Sequence, residues 1–363
     1  MKYGFIADIH LSVSDSLSPL DSQTGLSIRT HDKLDAIREA LETSIAQNCE
    51  AFFICGDIYE KLNPPEKLKE AFLRTIIPYS KEIKIIIFPG NHDGADFTNN
   101  YLSELAILEG LIDPPFTIID TPNILYFNSG RDKFLIVPWI ADHARIVETL
   151  NQCEEGLILA GHMEVFGALT STEYHLTSGI HQGIFQKFKF VVLGHYHRHQ
   201  RLARNLIYVG SPIIKDMSEI HDEKKGFIIY DSNTNNFEFI QLEKRRGFVY
   251  KITETNLDEV QLEFDRDKPK EGDLIEVEFF GTKEWINSIK SQVIKVFRDE
   301  CNPLKIKTKR NYTKAEDVKS QSILLMKNRV DRIKEFSKDK PQYIDLGIEL
   351  YQNAENEYLE VKI

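Results

Sequence analysis

Short apolar runs alternate with amphipathic segments along the first part of the chain. Runs that are rich in β-branched or aromatic residues and bounded by turns predict buried strands at 3–7, 51–55, 83–88, 157–160 and 190–193. Apolar residues at helical spacing predict helices at 33–47 and 66–79. Later strands are predicted close together, at 124–127, 133–137, 206–209, 227–230 and 237–241. This crowding favours a mixed two-sheet sandwich flanked by helices over a single parallel sheet.

The pattern changes near residues 244–247, where we predict a domain boundary. Beyond it, Ile275, Val277 and Phe279 alternate with glutamates as a half-exposed strand, followed by a helix at 285–297 and a further strand at 304–309. Residues 12–30 are rich in serine and are predicted to form a mobile loop. Residues 311–320 are polar and are predicted to form a linker.

The C-terminal segment is amphipathic. Apolar residues recur there at a 3-4-3 spacing on a charged background, at Ile323, Met326, Val330 and Ile333. A second stripe follows Pro341, at Tyr343, Leu346 and Leu350. Such helices either pack on their own domain or dock on a partner, and the pattern leaves both interpretations open.

Length and composition set limits on the class of protein. A chain of 363 residues, 42% of them apolar, is long enough for two domains. It contains no apolar stretch of about 18 residues that could span a bilayer, and its N-terminal residues run directly into the first strand, which leaves no room for a signal peptide. Its cysteines form no CxxC pair and fit a reducing interior. We therefore expect a cytoplasmic protein without a membrane partner.

Side chains that bind metals follow each of the five buried strands. The segments are Asp8-Ile9-His10, Gly56-Asp57, Gly90-Asn91-His92-Asp93, Gly161-His162 and Gly194-His195-Tyr196-His197. In open α/β sheets, ligands gather outside the carboxyl ends of the strands. Imidazole, carboxylate and amide ligands suit Mn, Fe or Zn better than Ca, and a pair of such ions hydrolyses phosphate esters. The pattern predicts a two-metal hydrolytic site, with Asp57 as the natural bridge.

These five motifs, in this order, resemble the calcineurin-like metallophosphoesterases. Finer details resemble the SbcD-type DNA repair nucleases within that superfamily, namely Val137-Pro138-Trp139, Tyr208-Val209-Gly210-Ser211-Pro212 and the segment from His221 to Phe227. The resemblance covers about residues 1–232. It implies an α/β fold: a two-sheet metallophosphoesterase sandwich flanked by helices, with a small α/β capping domain and a C-terminal helical tail. The implied domains are a nuclease domain at 1–243, a DNA-capping domain at 244–312 and a partner-binding tail at 313–363.

The resemblance also implies roles for the site residues. One metal would be held by Asp8, His10 and His197, the other by Asn91, His162 and His195, and Asp57 would bridge them. His92 matches the family's catalytic histidine, which donates a proton to the leaving oxygen or stabilises its charge, and Asp93 is expected to orient the His92 ring. One position departs from many relatives, which have a histidine where this chain has Glu60. A carboxylate there is expected to repel the substrate phosphate.

The remaining histidines are interpreted as surface or satisfied core residues without a metal role: His31, His143, His175, His181 and His199. His221 either contacts DNA or caps a turn. The net charge of −11 seems unfavourable for a nucleic-acid protein. Two divalent cations would offset it locally, and basic residues cluster at 244–246 and at Lys305, Lys307, Lys309 and Arg310. These clusters are equally interpretable as solvated faces.

The resemblance therefore implies a manganese-type dinuclear DNA exonuclease and endonuclease that acts on DNA ends or hairpins in repair or recombination. It would work with an SMC-like SbcC-type ATPase, and a homodimer stays open. Two alternatives remain. One is a stand-alone metallophosphatase or small-molecule phosphodiesterase, and the other is a DNA-end tethering module. The appended second domain and the amphipathic tail favour the nuclease, because a stand-alone phosphatase would need neither.

Overall fold

A computed structural model of the chain describes residues 1–94, 116–170, 174–222, 224–242 and 244–312. The strands of its first half are β1 (Lys2–Ile6), β2 (Cys49–Cys55), β3 (Lys84–Phe88), β4 (Thr117–Ile118), β5 (Asn123–Phe127), β6 (Asp132–Val137) and β7 (Ile158–His162). The later strands are β8 (Phe190–Gly194), β9 (Gln200–Ala203), β10 (Leu206–Tyr208), β11 (Gly226–Asp231), β12 (Asn236–Gln241), β13 (Gly247–Ile252), β14 (Leu274–Gly281) and β15 (Lys305–Tyr312). The described helices are α1 (Ile28–Ala46), α2 (Glu66–Ile76), α3 (His143–Gln152), α4 (Leu257–Asp267) and α5 (Lys283–Cys301).

Two six-stranded sheets carry the first part of the chain. One has the order β12-β11-β1-β2-β3-β4, with β1 to β4 parallel and the β11–β12 hairpin antiparallel beside β1. The other has the order β5-β6-β7-β8-β10-β9, with β6, β7, β8 and β10 parallel and an antiparallel strand at each edge. The predicted two-sheet sandwich is confirmed.

Alternation along the strands explains why both faces of each sheet are buried. Phe53 of β2 packs in the cluster between the sheets, where its ring stacks on that of Phe134 at a centroid distance of 5.0 Å. Its neighbours Phe52 and Ile54 point to the opposite face, in the cluster that includes apolar residues of α1 and α2. A third cluster joins the outer face of the second sheet to α3, through residues such as Ile146. The layers are therefore helix, sheet, sheet, helix, and the parallel strands end at a common edge.

The first helix begins earlier than the hydrophobic pattern predicts. α1 starts at Ile28, because the Ser27 side chain accepts the Thr30 N–H and caps the helix. The predicted loop at 12–30 is therefore wrong for its last three residues. Within the loop proper, Leu17 and Leu26 are buried.

The chain from β13 onward adds a three-stranded sheet of order β13-β14-β15 and the helices α4 and α5. Strand β15 extends to Tyr312, so the predicted linker at 311–320 is wrong for its first two residues. The helices α3 and α4 were not predicted. The amphipathic tail at 323–350 lies outside the described residues, and the predicted domain limits at 243 and 312 stay predictions.

The structure divides into two compact units. The first consists of Met1–Tyr250, Arg266–Glu276 and Phe297–Lys307, and it contains both six-stranded sheets and all the predicted metal ligands. The second consists of Lys251–Asp265, Val277–Val296 and the described residues from Thr308 onward. Within the second unit, Lys309 Nζ lies 3.0 Å from Glu278 Oε1.

Candidate metal centre

The loops that follow β1 and β2 are joined backbone to backbone at the edge where the parallel strands end. The Asp8 N–H donates to the Gly56 carbonyl at 3.1 Å, and the His10 N–H donates to the Asp57 carbonyl at 2.9 Å. Asp8, His10 and Asp57 have φ values of 54°, 52° and 52°, in the left-handed region that residues other than glycine seldom adopt. Such conformations persist only where the surroundings hold them, and they cluster at functional sites.

One set of donor atoms comes from three segments that are distant in sequence. Asp8, His10 and His197 place one potential ligand atom each within 4.8 Å of one another. His10 Nε2 and His197 Nε2 lie 2.9 Å apart. The Asp8 carboxylate also accepts the His195 N–H, at 2.9 and 3.1 Å, which ties the β8 loop to the β1 loop.

A second set lies beside the first. Asp57, His162 and His195 place one ligand atom each within 4.8 Å of one another. Asn91 Oδ1 faces the same point, 3.1 Å from His162 Nε2 and 2.8 Å from His195 Nδ1. The structure thus brings together all the residues that the sequence predicted for the second metal.

Asp57 lies between the two sets. A single oxygen, Oδ2, is 3.6 Å from His10 Nε2 and 3.5 Å from His162 Nε2. The other oxygen, Oδ1, accepts the backbone N–H of His92 at 2.9 Å. One carboxylate therefore faces both sets, which is the geometry that a bridging ligand requires.

Hydrogen bonds at the outer edges of the histidine rings assign their protons. His162 Nδ1 lies 2.9 Å from the Cys55 carbonyl, which can only accept, so Nδ1 carries the hydrogen. His197 Nδ1 lies 2.6 Å from Glu219 Oε1, which assigns its hydrogen in the same way. In the neutral rings, both Nε2 atoms then direct lone pairs into the centre, toward other acceptors such as Asn91 Oδ1. Converging acceptors need a cation between them, so these residues fit a pair of divalent metal ions.

The charges of the site lead to the same conclusion. Burial raises the pKa of Asp8 and lowers that of His10 to about 3. Burial also opposes a charge on His162, but Asp57 and Asp8 raise the pKa of that ring to about 9. Burial likewise opposes a charge on Asp57, yet His162 and His10 hold its pKa well below the usual range. The buried carboxylates therefore draw positive charge to this position, either as a proton or as a metal ion.

Sequence reasoning missed the carboxylates outside the predicted ligands. Glu219, which is 1% exposed, accepts from His197 Nδ1, and Glu164 Oε1 lies 3.3 Å from His195 Nε2. Acceptors of this kind hold a ligating imidazole in one tautomer and one orientation. The available signal for Glu219 was its position between two segments that resemble the nuclease family, the one ending at Pro212 and the one beginning at His221.

A buried lysine supports the first loop from below. Lys33, on α1, is 3% exposed, and its Nζ donates to the His10 carbonyl at 2.8 Å and lies 3.6 Å from Asp15 Oδ2. Burial lowers the pKa of Lys33 to about 8. The sequence showed this residue only as the start of a predicted helix.

His92 lies at the side of the first donor set. Its ring is edge-on to that of His10 at a centroid distance of 4.8 Å, and its Nδ1 lies 2.8 Å from the Glu60 carbonyl oxygen. The expectation that Asp93 orients this ring is wrong. The Asp93 carboxylate accepts three backbone N–H groups instead, from Ile58, Tyr59 and Gly90, and so joins the β2 loop to the β3 loop. Burial and the nearby Asp57 raise the pKa of Asp93 to about 6.

Two glycines are required by close approach. A Cβ on Gly56, whose φ is +82°, would lie 2.3 Å from His162 Nδ1, and a Cβ on Gly90 would lie 2.2 Å from Asp57 Oδ1. The glycines of the Gly-Asp and Gly-Asn-His-Asp motifs therefore leave room for the ligands of neighbouring strands.

Other predicted residues lie in ordinary environments. His199 Nδ1 donates to backbone carbonyls of residues 208 and 209, and the ring stacks on Phe239. The His221 side chain is 55% exposed and 3.9 Å from Glu276 Oε1. The basic cluster at 244–246 is paired with acidic residues: Lys244 with Glu39, Arg245 with Asp32 and Arg246 with Asp273. This pairing removes much of the charge that the cluster would offer to DNA.

Comparison with known proteins matches this geometry to a family. The model of the calcineurin-like phosphoesterases matches residues 1–199, which include every predicted metal ligand. The chain belongs to the calcineurin-like phosphoesterase family. Its members are metal-dependent phosphoesterases that bind two divalent metals, and the donor sets described above lie within the matched region.

A curated relative is the SbcD component of the nuclease SbcCD from Staphylococcus epidermidis, to which the chain is 29% identical over 228 residues. The match covers 53% of this chain and 59% of the relative, so the chain spans less than two thirds of that protein's length. Among solved structures, a dimetal phosphatase from Danio rerio matches with a TM-score of 0.38 and 12% identity, over 63% of this chain and 91% of that chain. None of the helices in the described ranges is long and apolar enough to cross a membrane.

Proposed function

We propose that this chain is an SbcD-type DNA nuclease, a manganese-dependent exonuclease and endonuclease that acts on DNA ends or hairpins in repair or recombination. The observation that supports it most is the pair of donor sets on either side of Asp57 Oδ2, at 3.6 Å from His10 Nε2 and 3.5 Å from His162 Nε2. The relative named as a nuclease component and the motif details of the sequence support DNA as the substrate.

In this proposal the metal ligands are Asp8, His10, Asp57, Asn91, His162, His195 and His197. Two divalent ions at this place would activate water and neutralise the charge that develops on the phosphate oxygens. Asp57 and Asn91 keep acceptor oxygens directed at the centre. The carbonyl of Cys55 and the carboxylate of Glu219 hold two of the rings with their Nε2 lone pairs inward.

His92 is the proposed proton donor. Because its Nδ1–H is held by the Glu60 carbonyl at 2.8 Å, the other nitrogen, Nε2, carries the mobile proton. The His92 backbone N–H is held by Asp57 Oδ1 at 2.9 Å, so the ring keeps its place beside the centre whichever protonation state it has. A donor so placed stabilises the oxygen that leaves when the phosphodiester breaks.

A nuclease assay on the purified chain tests the proposal. We expect Mn²⁺-dependent degradation of a linear duplex and hydrolysis of bis(p-nitrophenyl) phosphate, both abolished by a chelator and restored by Mn²⁺. Hydrolysis of the monoester p-nitrophenyl phosphate at a higher rate than the diester, with no cleavage of DNA, would indicate a phosphatase instead.

We further propose an SMC-like SbcC-type ATPase as the partner, which would supply the DNA affinity that a chain of charge −11 lacks. The predicted tail helix is the proposed contact. Co-purification with the ATPase should therefore be lost in Val330→Glu, while hydrolysis of bis(p-nitrophenyl) phosphate is retained. Unchanged co-purification of this variant would count against docking through the tail.

A further inference from the structure

Glu60 stands where many relatives have a histidine, and its side chain lies against the predicted metal centre. Its Oε2 is 3.1 Å from His10 Nδ1 and 3.0 Å from Lys215 Nζ. The Glu60 side chain is 32% exposed and that of Lys215 is 20% exposed, so the pair lies at the rim of the site. One carboxylate oxygen thus faces a predicted ligand on one side and a cation on the other.

The two edges of the His10 ring have different surroundings. Its Nε2 faces the centre, 2.9 Å from His197 Nε2 and 3.6 Å from Asp57 Oδ2. Its Nδ1 is buried and makes no well-aligned hydrogen bond, although Glu60 Oε2 is within 3.1 Å. A histidine that binds a metal through one nitrogen carries hydrogen on the other, and that hydrogen needs an acceptor. Glu60, with a partly exposed and rotatable carboxylate, is in reach to provide it.

We propose that Glu60 is a positioning residue, which accepts from His10 Nδ1 and thereby holds the ring with Nε2 toward the metal. Lys215 neutralises the charge of the carboxylate. This inference rests on the two-metal centre of the proposed function. It makes Glu60 the counterpart of Glu219, whose carboxylate holds His197 at 2.6 Å from the opposite side of the same donor set.

The ion pair with Lys215 removes the reason to expect repulsion of the substrate phosphate. A carboxylate with a cation 3.0 Å away presents little net charge to an anion approaching the rim. The carboxylate is also drawn toward two donors, His10 Nδ1 and Lys215 Nζ, and so serves as an acceptor within the protein.

The backbone of Glu60 has separate contacts, which makes the side chain testable by itself. Its N–H donates to the Leu11 carbonyl at 2.9 Å, and its carbonyl accepts from His92 Nδ1 at 2.8 Å. A side-chain substitution leaves both bonds in place. The effect of Glu60→Ala on metal binding is therefore separable from any effect on the proton donor.

Mn²⁺ binding is the measurement, by isothermal titration calorimetry with metal analysis after equilibrium dialysis. Wild type should bind two equivalents. Glu60→Ala should weaken one of them about 10–100-fold, the cost typical of removing such an outer acceptor, and leave the second unchanged. Glu60→Gln keeps an acceptor oxygen and should stay within about fivefold of wild type. Lys61→Ala, at an exposed neighbouring position, is the matched control and should bind as wild type does.

Each result separates the inference from the proposal beneath it. Failure of the wild type to bind two equivalents would overturn the two-metal centre itself. Two equivalents at wild-type affinity in Glu60→Ala would overturn the positioning role alone. Melting in the presence of a chelator should be the same for Glu60→Ala and wild type, with a smaller rise on adding Mn²⁺ in the variant. Equal loss of melting temperature with and without Mn²⁺ would instead mean that Glu60 only stabilises the loop.

Discussion

Replacing Glu219 by glutamine tests the outer carboxylates most directly. Glu219 is 1% exposed, and its Oε1 lies 2.6 Å from His197 Nδ1. Its Oε2 accepts from Lys225 Nζ at 2.7 Å and from the Lys215 N–H at 3.0 Å. Glutamine keeps the volume and one acceptor oxygen but removes the charge, so the substitution opens no cavity and isolates the electrostatic contribution.

Two magnitudes follow from these contacts. Removing one partner of a buried ion pair costs about 3–5 kcal/mol of unfolding free energy. Lys225 keeps Asp222 Oδ2 at 3.0 Å as a second partner, so the expected loss for Glu219→Gln falls below that range, at about 2–3 kcal/mol. Because the charge also strengthens the His197 imidazole as a ligand, affinity for one Mn²⁺ should fall about 10–100-fold.

Urea denaturation in a chelator measures the first quantity and calorimetric Mn²⁺ titration the second, with the exposed Glu155→Gln as control. Burial opposes ionisation of Glu219, but Lys225 and His197 hold its pKa below the usual range. A carboxylate with a lowered folded pKa stabilises the protein above its unfolded pKa of about 4.3, and this contribution is lost as the pH falls from there toward the folded value. The stability difference between wild type and Glu219→Gln should therefore be constant above about pH 5 and shrink below it. A variant as stable as wild type at pH 7, with unchanged Mn²⁺ affinity, would refute the reasoning.

Three further predictions concern the centre itself. His92→Ser should keep both metals and lower DNA cleavage at least about a hundredfold, because it removes a proton donor and no ligand; metal analysis showing a lost equivalent would make His92 a ligand. Asp57→Asn should weaken both metals, whereas Asn91→Ala should weaken one, as dialysis and metal analysis would show; a single loss in Asp57→Asn would contradict the bridge. Mn²⁺ at about 100 times its dissociation constant should raise the unfolding free energy by about 2.7 kcal/mol per site, measured in urea, and no rise would contradict binding to the folded state.

The strands were predictable because the hydrophobic pattern of each is local. Runs such as 51–55 and 190–193 are apolar on both faces, and in the structure both faces are buried, one between the sheets and the other under helices or loops. Helix α4 was missed because its charged residues obscure its weak apolar pattern, with Val260 the buried residue of the helix. The start of α1 was missed because Ser27 caps the helix after a loop whose composition resembles mobile chain.

The sequence by itself determined which side chains meet at the centre. Each ligand follows a buried strand, and parallel strands end at a common edge, so strand order along the chain was enough to predict the meeting. Only the tertiary structure decided how those side chains are held. Glu219 reaches His197 across 22 residues, and the Asp93 carboxylate turned out to receive backbone N–H groups from another loop rather than the neighbouring ring. The physical reason is that a strand pattern records burial, which is local, whereas a hydrogen-bond partner depends on how separate loops pack, and no periodicity in the chain encodes that.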